Sequence, residues 1–212
     1  MKKIIITSFI VIAFVLCFLL YYYNIIPNAY DRKYSYLNTY KSNVDKDLDE
    51  VDDQTDILNE AKKYLESSPK YKSKYYESGY PNDNYGVCTD IVTFALRGAG
   101  YDLMELVNED ILANRELYDI KEVDIRIDFR RVKNLLVYFK RHSICLTLDT
   151  SLINEWQPGD IVVFNGHIGI ISDKRNLNGI PFVLHHYSKM QINYEEDILN
   201  RFGKILGHFR VS

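Results

Sequence analysis

Trp156–Asp173, WQPGDIVVFNGHIGIISD, is where the period of the chain changes. Pro158-Gly159-Asp160 is turn chemistry, IVVF (161–164) is an apolar run of strand length, and Asn165-Gly166 is the dipeptide of a two-residue hairpin turn. HIGIISD (167–173) then reads as the returning strand, opening on His167. Side chains alternate along a strand, so His167 shares a face with Gly169 while Ile168 and Ile170 point the other way, into a core. After KRNLNGI (174–180), PFVLHHYS (181–188) reads as a third strand. ILGHFRVS (205–212) has strand character and is expected to close the sheet. Upstream of Trp156 the period is helical. Helices first and an antiparallel meander after them define an α+β domain.

The decisive upstream segment is Tyr80–Gly100, YPNDNYGVCTDIVTFALRGAG. A turn-rich run ends at Cys88, and Val87, Ile91, Val92, Ala95, Leu96 and Ala99 recur at helix spacing, with Gly98 and Gly100 as the stop. Cys88 is therefore expected in the first turn of a largely buried helix. There the free N–H groups and the positive end of the dipole favour a thiolate. A cysteine is also a small apolar residue often buried for packing alone, so its partners decide its meaning. Further helices are expected at Asp56–Glu66, closed by Pro69, and at Leu103–Asn108 or slightly longer. Asp128 is expected to cap another, carrying Val132, Leu135, Leu136 and Phe139. Arg130 and Arg131 fall in its first turn, where positive charge opposes the dipole. They either hold a substrate carboxylate or pair with Asp124 or Asp128. Tyr71, Tyr75, Tyr76 and Tyr80 either wall a groove or pack on the core.

The chain has 212 residues, a net charge of -3 and 47% hydrophobic residues, enough for one domain with its own core. It lacks the clustered positive charge of a nucleic-acid binder. Its 3 cysteines, one of them in an apolar N-terminal run, exclude a disulfide scaffold. Cys88 and Cys145 are expected reduced, with pairing in an oxidising compartment as the alternative. Ile4–Tyr23 is uncharged over about 20 residues, the length that crosses a bilayer. Lys2 and Lys3 precede it, which places the N-terminus in the cytoplasm and the remainder outside, with Tyr21, Tyr22 and Tyr23 at the far interface. No small-x-small site follows, so an uncleaved anchor is expected rather than a signal peptide. The expected organisation is an anchor at 1–24, a polar stalk at 25–54 and a catalytic domain at 55–212. The acidic stretch DKDLDEVDD (45–53) reads as a solvated face of the stalk.

In a Cys–His pair the imidazole takes the thiol proton and a third polar group orients the ring. Cys88 and His167 supply the pair. His185 is in reach if its strand neighbours 167–173; His186 points to the opposite face, and parity alone does not choose between them. G-V-C-T-D-I-V, W-Q-P-G-D-I-V, H-I-G-I-I-S-D and V-L-H, in that order, resemble the papain-like NlpC-type superfamily of cell-wall cysteine peptidases. With D-F-R-R-V-x-N-L and the terminal G-H-F-R, the stretch from about Tyr71 to the C-terminus is similar to a bacterial domain family of unknown function in that superfamily. Val87 precedes the cysteine and Thr89-Asp90 follow it, where better-known peptidases carry an acidic residue and Ser-Gly.

The resemblance implies a papain-like domain whose nucleophile helix packs on a small antiparallel sheet. Carried over, Cys88 is the nucleophile, His167 the base and His185 the orienting residue, with Asp90, Arg130 and Arg131 as candidate substrate contacts. It implies a monomeric hydrolase of amide bonds in peptidoglycan peptides, needing no cofactor. Acyl transfer on the same triad, an inactive wall-binding module and a zinc hydrolase on Cys88, His167 and His185 are the alternatives. For the last, neither H-E-x-x-H nor a paired C-x-x-C is present.

Overall fold

The structure is a computed structural model that describes residues 2–22, 34, 37 and 39–211. Helix α1 (Lys2–Tyr22) runs 21 residues. The side chains of residues 2–5 lie outside the described residues, and among the described residues no helix is long and apolar enough to cross a membrane. Tyr21 at its end accepts a hydrogen bond from Arg201 Nη2 at 3.0 Å. Tyr22 ends the described helix, and Tyr23 and the first part of the expected stalk lie outside the described residues.

From Tyr40 on, the expected stalk is docked on the domain. The Tyr40 N–H donates to Gln157 at 2.9 Å, the Arg210 guanidinium lies over the Tyr40 ring, and Ser42 is buried. Polar composition alone does not show this, because the docking uses hydrogen bonds rather than an apolar stripe. Helix α2 (Asp53–Glu66) starts before its apolar stripe because Asp52 caps it, accepting from the Thr55 N–H and hydroxyl. Ile57, Ala61 and Leu65 face the core.

Two-residue strands β1 (Lys70–Tyr71) and β2 (Tyr85–Gly86) pair in parallel and lead into α3 (Cys88–Gly98). Of the four tyrosines there, Tyr76 and Tyr80 are buried and Tyr75 is exposed. Helix α4 (Leu103–Ala113) is capped by Asp102. Helices α5 (Ile125–Asp128) and α6 (Val132–His142) follow. The expectation that Asp128 caps α6 is corrected. Asp128 ends α5, and its carboxylate accepts the Asp124 N–H at 2.8 Å. The turn Phe129–Arg131 separates it from α6, whose cap position is Arg131.

The second half is a six-stranded antiparallel sheet in the order β3-β8-β4-β5-β6-β7. Its strands are β3 (Ile144–Cys145), β4 (Ile161–Phe164), β5 (His167–Arg175), β6 (Pro181–Leu184), β7 (Glu195–Glu196) and β8 (Ile205–Arg210). The Asn165-Gly166 turn joins β4 to β5 as expected, with Phe164 opposite His167 and Gly166 at φ 76°. The C-terminal strand does not close an edge. It lies between β3 and β4, with Val162 opposite His208. A buried polar cluster fixes it there: Asp160 takes His208 Nε2 at 2.9 Å and both sides of the Arg210 fork, and His208 stacks on Trp156 at 3.7 Å.

Both faces of the sheet are covered. Ile161, Val163, Ile168 and Ile170 meet Ile91, Val92 and Ala95 of α3 on one face; Val162, Phe164, Ile171 and Val183 pack with Trp156 and Leu199 on the other. The domain is thus of the mixed α+β class, with α3 packed on an antiparallel sheet.

Candidate active site

Three elements converge where β5 begins. Helix α3 presents Cys88 in its first turn, β5 opens with His167, and the chain leaves β6 at His185. The Cys88 sulfur sits against the first peptide of β5, with the backbone N–H groups of Ile168, Thr89 and Cys88 placed to bond it. His167 lies on the other side of that peptide, its ring 6.1 Å from that of Phe164 and 4.3 Å from that of Phe202. The sulfur lies with the α3 side of the sheet and the imidazole with Phe164 and Phe202 on the other side, flanking the start of β5. Among the described residues no hydrogen bond joins them.

The room that Gly169 leaves on the His167 face is taken by β6, not by Cys88. A Cβ on Gly169 would stand 2.6 Å from Val183 Cγ1, 2.7 Å from the Leu184 carbonyl and 3.3 Å from His185 Cβ. The glycine admits β6, and with it His185.

His167 Nε2 lies 3.1 Å from His185 Nδ1, and His185 Nε2 lies 2.9 Å from Glu196 Oε2. A carboxylate only accepts, so His185 carries its proton on Nε2 and its Nδ1 accepts from the N–H at His167 Nε2. That leaves the lone pair of His167 on Nδ1. The chain of bonds selects one tautomer at each ring. Gln191 Nε2, 3.2 Å from His185 Nε2, is itself a donor and directs its two protons to the Asn193 and His185 carbonyls at 2.9 and 3.3 Å. Glu196 has no sequence signal of its own: Glu195 and Asp197 flank it, and only the pairing of β7 with β6 turns Glu196 toward His185.

His186 faces away from this chain. It is fully buried between the edges of Tyr71 and Tyr194, and neither ring nitrogen has a partner. Replacing the two neighbours by phenylalanine separates their roles. His185→Phe is expected to remove activity, whereas His186→Phe is expected to keep it and raise stability by about 1 kcal/mol, because a buried unpaired polar group is lost. Activity assays and urea melts of both variants check this, and the reverse pattern would exchange the roles.

The electrostatics depart from the helix-terminus expectation. Burial pushes the Cys88 thiol up to about 11; the N–H of Ile168 opposes this, and the Asp90 carboxylate adds to the rise. Burial also pushes the His167 imidazole down to about 3, with His185 and His186 adding to the fall. Burial alone takes His185 down to about 3, and burial followed by His185 takes His186 to about 4. The desolvation of a charge in this pocket exceeds the half-charge of one helix end. The resting pair is a neutral thiol beside a neutral imidazole.

These shifts carry a sign for stability. Each histidine holds its proton less tightly folded than unfolded, so its contribution is complete above about pH 6.5 and is lost as pH falls toward 3–4. Unfolding free energy is expected to drop by about 1.4 kcal/mol per pH unit for each of the three across that window. Denaturant melts between pH 7 and pH 4 check this, and a flat profile contradicts neutral buried rings.

Asp90 and Arg130 have each other as partners. Arg130 Nε and Nη2 fork onto Asp90 Oδ1 and Oδ2 at 2.6 and 2.9 Å, with both side chains buried, and Nη1 donates to the Lys74 carbonyl. Asp90 Oδ2 also accepts the Val87 N–H at 2.8 Å. This pair positions the start of α3, and with it Cys88, rather than reaching outward to a ligand. Arg131 is exposed, pairs with Asp128 at 3.5 Å, and lines a surface depression of about 480 Å³ with Asp119, Lys121, Glu122 and Lys133. None of the thiol-site residues borders it. Cys145 lies exposed on β3, across the sheet from β5, and both Cys88 and Cys145 are free thiols.

The fold and site define an α+β protein with a buried helix-start cysteine and, at the start of β5, a His–His–Glu chain of hydrogen bonds. The chain belongs to the family described as "Domain of unknown function (DUF1287)", whose model matches residues 58–211. It is 36% identical over 168 residues to a protein of Escherichia coli (strain K12) described as "Uncharacterized protein YijF", covering 73% of this chain and 80% of that protein. No solved structure matches the chain.

Proposed function

We propose that the protein is a membrane-tethered thiol hydrolase acting on amide bonds of wall peptides, with Cys88 as nucleophile. The observation that carries the reading is the bond chain Glu196–His185–His167, which leaves His167 Nδ1 as the accepting nitrogen of the residue just before Ile168, whose N–H bonds the Cys88 sulfur. The thiol proton passes to His167 Nδ1 as the sulfur attacks the scissile carbonyl. The resulting imidazolium keeps its Nε2–H bonded to His185 Nδ1, and His185 keeps its own Nε2–H bonded to the Glu196 carboxylate. His167 then protonates the leaving amine, and water cleaves the thioester by the reverse of these steps. The N–H groups of Cys88 and Thr89 at the head of α3 are the donors for the oxyanion.

Because thiol and imidazole rest neutral, proton transfer is coupled to attack rather than completed beforehand. The papain-like, NlpC-type placement fits the order Cys88, His167, His185 and the packing of α3 on the sheet. Peptidoglycan peptides as substrate follow from that likeness and from the N-terminal apolar run. Ile4–Tyr23 behind Lys2 and Lys3 suits a single-pass anchor that holds the domain outside the membrane, beneath the wall.

Acyl transfer is the second reading. Cys88 and His167 are only 8% and 2% exposed, and a thioester formed there is shielded from water. The test is digestion of purified peptidoglycan by the full chain in detergent, with fragments identified by mass, alone and with a competing amine. New amino termini absent with Cys88→Ala support hydrolysis, and amine adducts support transfer. No new fragment from wild type removes both.

A further inference from the structure

Asp45, Asp47 and Asp49 alternate along the loop before α2, and one oxygen of each lies within 4.8 Å of the others. Asp45 accepts the N–H groups of Asp49 and Glu50, at 3.2 and 2.9 Å, and Asp49 accepts that of Val51 at 2.9 Å. Such a cluster alone is an ordinary surface feature. A fourth carboxylate distinguishes this one. Asp56, in the first turn of α2, is only 7% exposed, and its Oδ2 is buried without a hydrogen-bond partner.

The charges facing that side chain are those of the loop. After burial itself, Asp49, Asp47, Asp45 and Asp52 hold its carboxyl up at about 6. Asp52 and Asp53 are committed elsewhere: Asp52 caps α2 and takes the Ser42 N–H, while Asp53 takes the Lys46 N–H and the Tyr101 hydroxyl. Asp45, Asp47 and Asp49 thus gather within ligand distance of one another, and Asp56 faces their charge.

We propose that these four carboxylates bind one calcium ion. Counting from Asp45, they occupy the first, third, fifth and twelfth positions of the loop, the spacing by which a loop entering a helix wraps calcium. The sixth position, where such loops carry glycine for its backbone freedom, is Glu50 at φ 76°. Val51 stands at the seventh position, from which a backbone carbonyl completes such sites. An all-oxygen donor set selects hard cations over zinc or copper. Four carboxylates, three from a loop and one from a helix, suit the larger, less demanding shell of calcium over the strict octahedron of magnesium.

The site is separate from the thiol centre. It lies at the far end of α3, where a Cβ on Gly100 would meet the Asp47 nitrogen at 3.2 Å. It also precedes the family match, which begins at residue 58. Its effect is to fasten the loop and the head of α2 against the α3–α4 junction.

The full chain in detergent, stripped with a chelator, is titrated with CaCl2 by calorimetry and melted with and without the ion, with MgCl2 in parallel. One ion per chain is expected, with a Kd of about 10⁻⁵–10⁻³ M, and saturation is expected to raise Tm by about 5–10 °C. Asp47→Asn and Asp56→Asn are each expected to weaken binding at least about 10-fold, the cost of removing one charged ligand. Asp56→Asn in chelator is expected to melt no lower than wild type, since it loses an unpaired buried charge. No heat and no Tm change up to about 10 mM CaCl2, or an equal response in both variants, would overturn the site. Equal affinity for MgCl2 would overturn the assignment to calcium.

Discussion

Cys88→Ala is expected to lose wall-peptide hydrolysis by about 10⁴–10⁶-fold, the scale on which removal of a covalent nucleophile acts, because no neighbouring group replaces it. The fold should barely notice. Cys88 contributes one sulfur to a helix start whose position is set by Asp90, Arg130 and the Val87 N–H, so a change in Tm of only a few degrees is expected. Rates on isolated wall fragments and a thermal melt of the same preparation check both halves together. A variant that retains more than a tenth of wild-type activity removes the nucleophile assignment, and with it the roles given to His167, His185 and Glu196.

Arg130→Ala is expected to cost about 3–5 kcal/mol of stability, enough to lower Tm by about 10 °C or more. Its guanidinium is the partner of both oxygens of a fully buried Asp90, so truncation leaves an uncompensated carboxylate beside the thiol. The double variant Arg130→Met with Asp90→Asn removes the charge together with its partner and should recover a large part of that loss, since breaking a buried pair costs more than replacing it. Chemical denaturation of the single and double variants gives the coupling between the two sites. Additive losses would mean that the fork contributes nothing beyond its separate contacts.

Much of the scaffold was legible because local rules agree there. The Asn165-Gly166 turn, the strand period on either side of it and the apolar stripe of α3 each name their own element, and His167 follows by register. Other features depend on pairings remote in sequence. Asp90 meets Arg130 from 40 residues away, and each looked like an outward-facing charge until the other was in place. Glu196 sits in a polar run on a two-residue strand, where no period distinguishes it from its neighbours.

His185 and His186 were equivalent by composition, and only the partners of each ring separate them. The thiol was expected to be acidic from its helix position alone. Burial reverses that, and burial is a property of the whole assembly. Residues 45–53 looked like solvated charge because exposure is the usual fate of acidic runs, and the buried Asp53 is not marked by type.

The position of Ile205–Arg210 sets an order for biosynthesis. The last strand is an interior member of the sheet, and its His208 and Arg210 close the shell around Asp160. Residues 144–145 and 161–164 therefore wait unpaired on that side until residues 205–210 have been made. A nascent polypeptide halted before Ile205 exposes two open strand edges, the surfaces that attract other chains. The Cys88 centre is accordingly assembled on a sheet that stays unfinished until residues 205–210 have joined it.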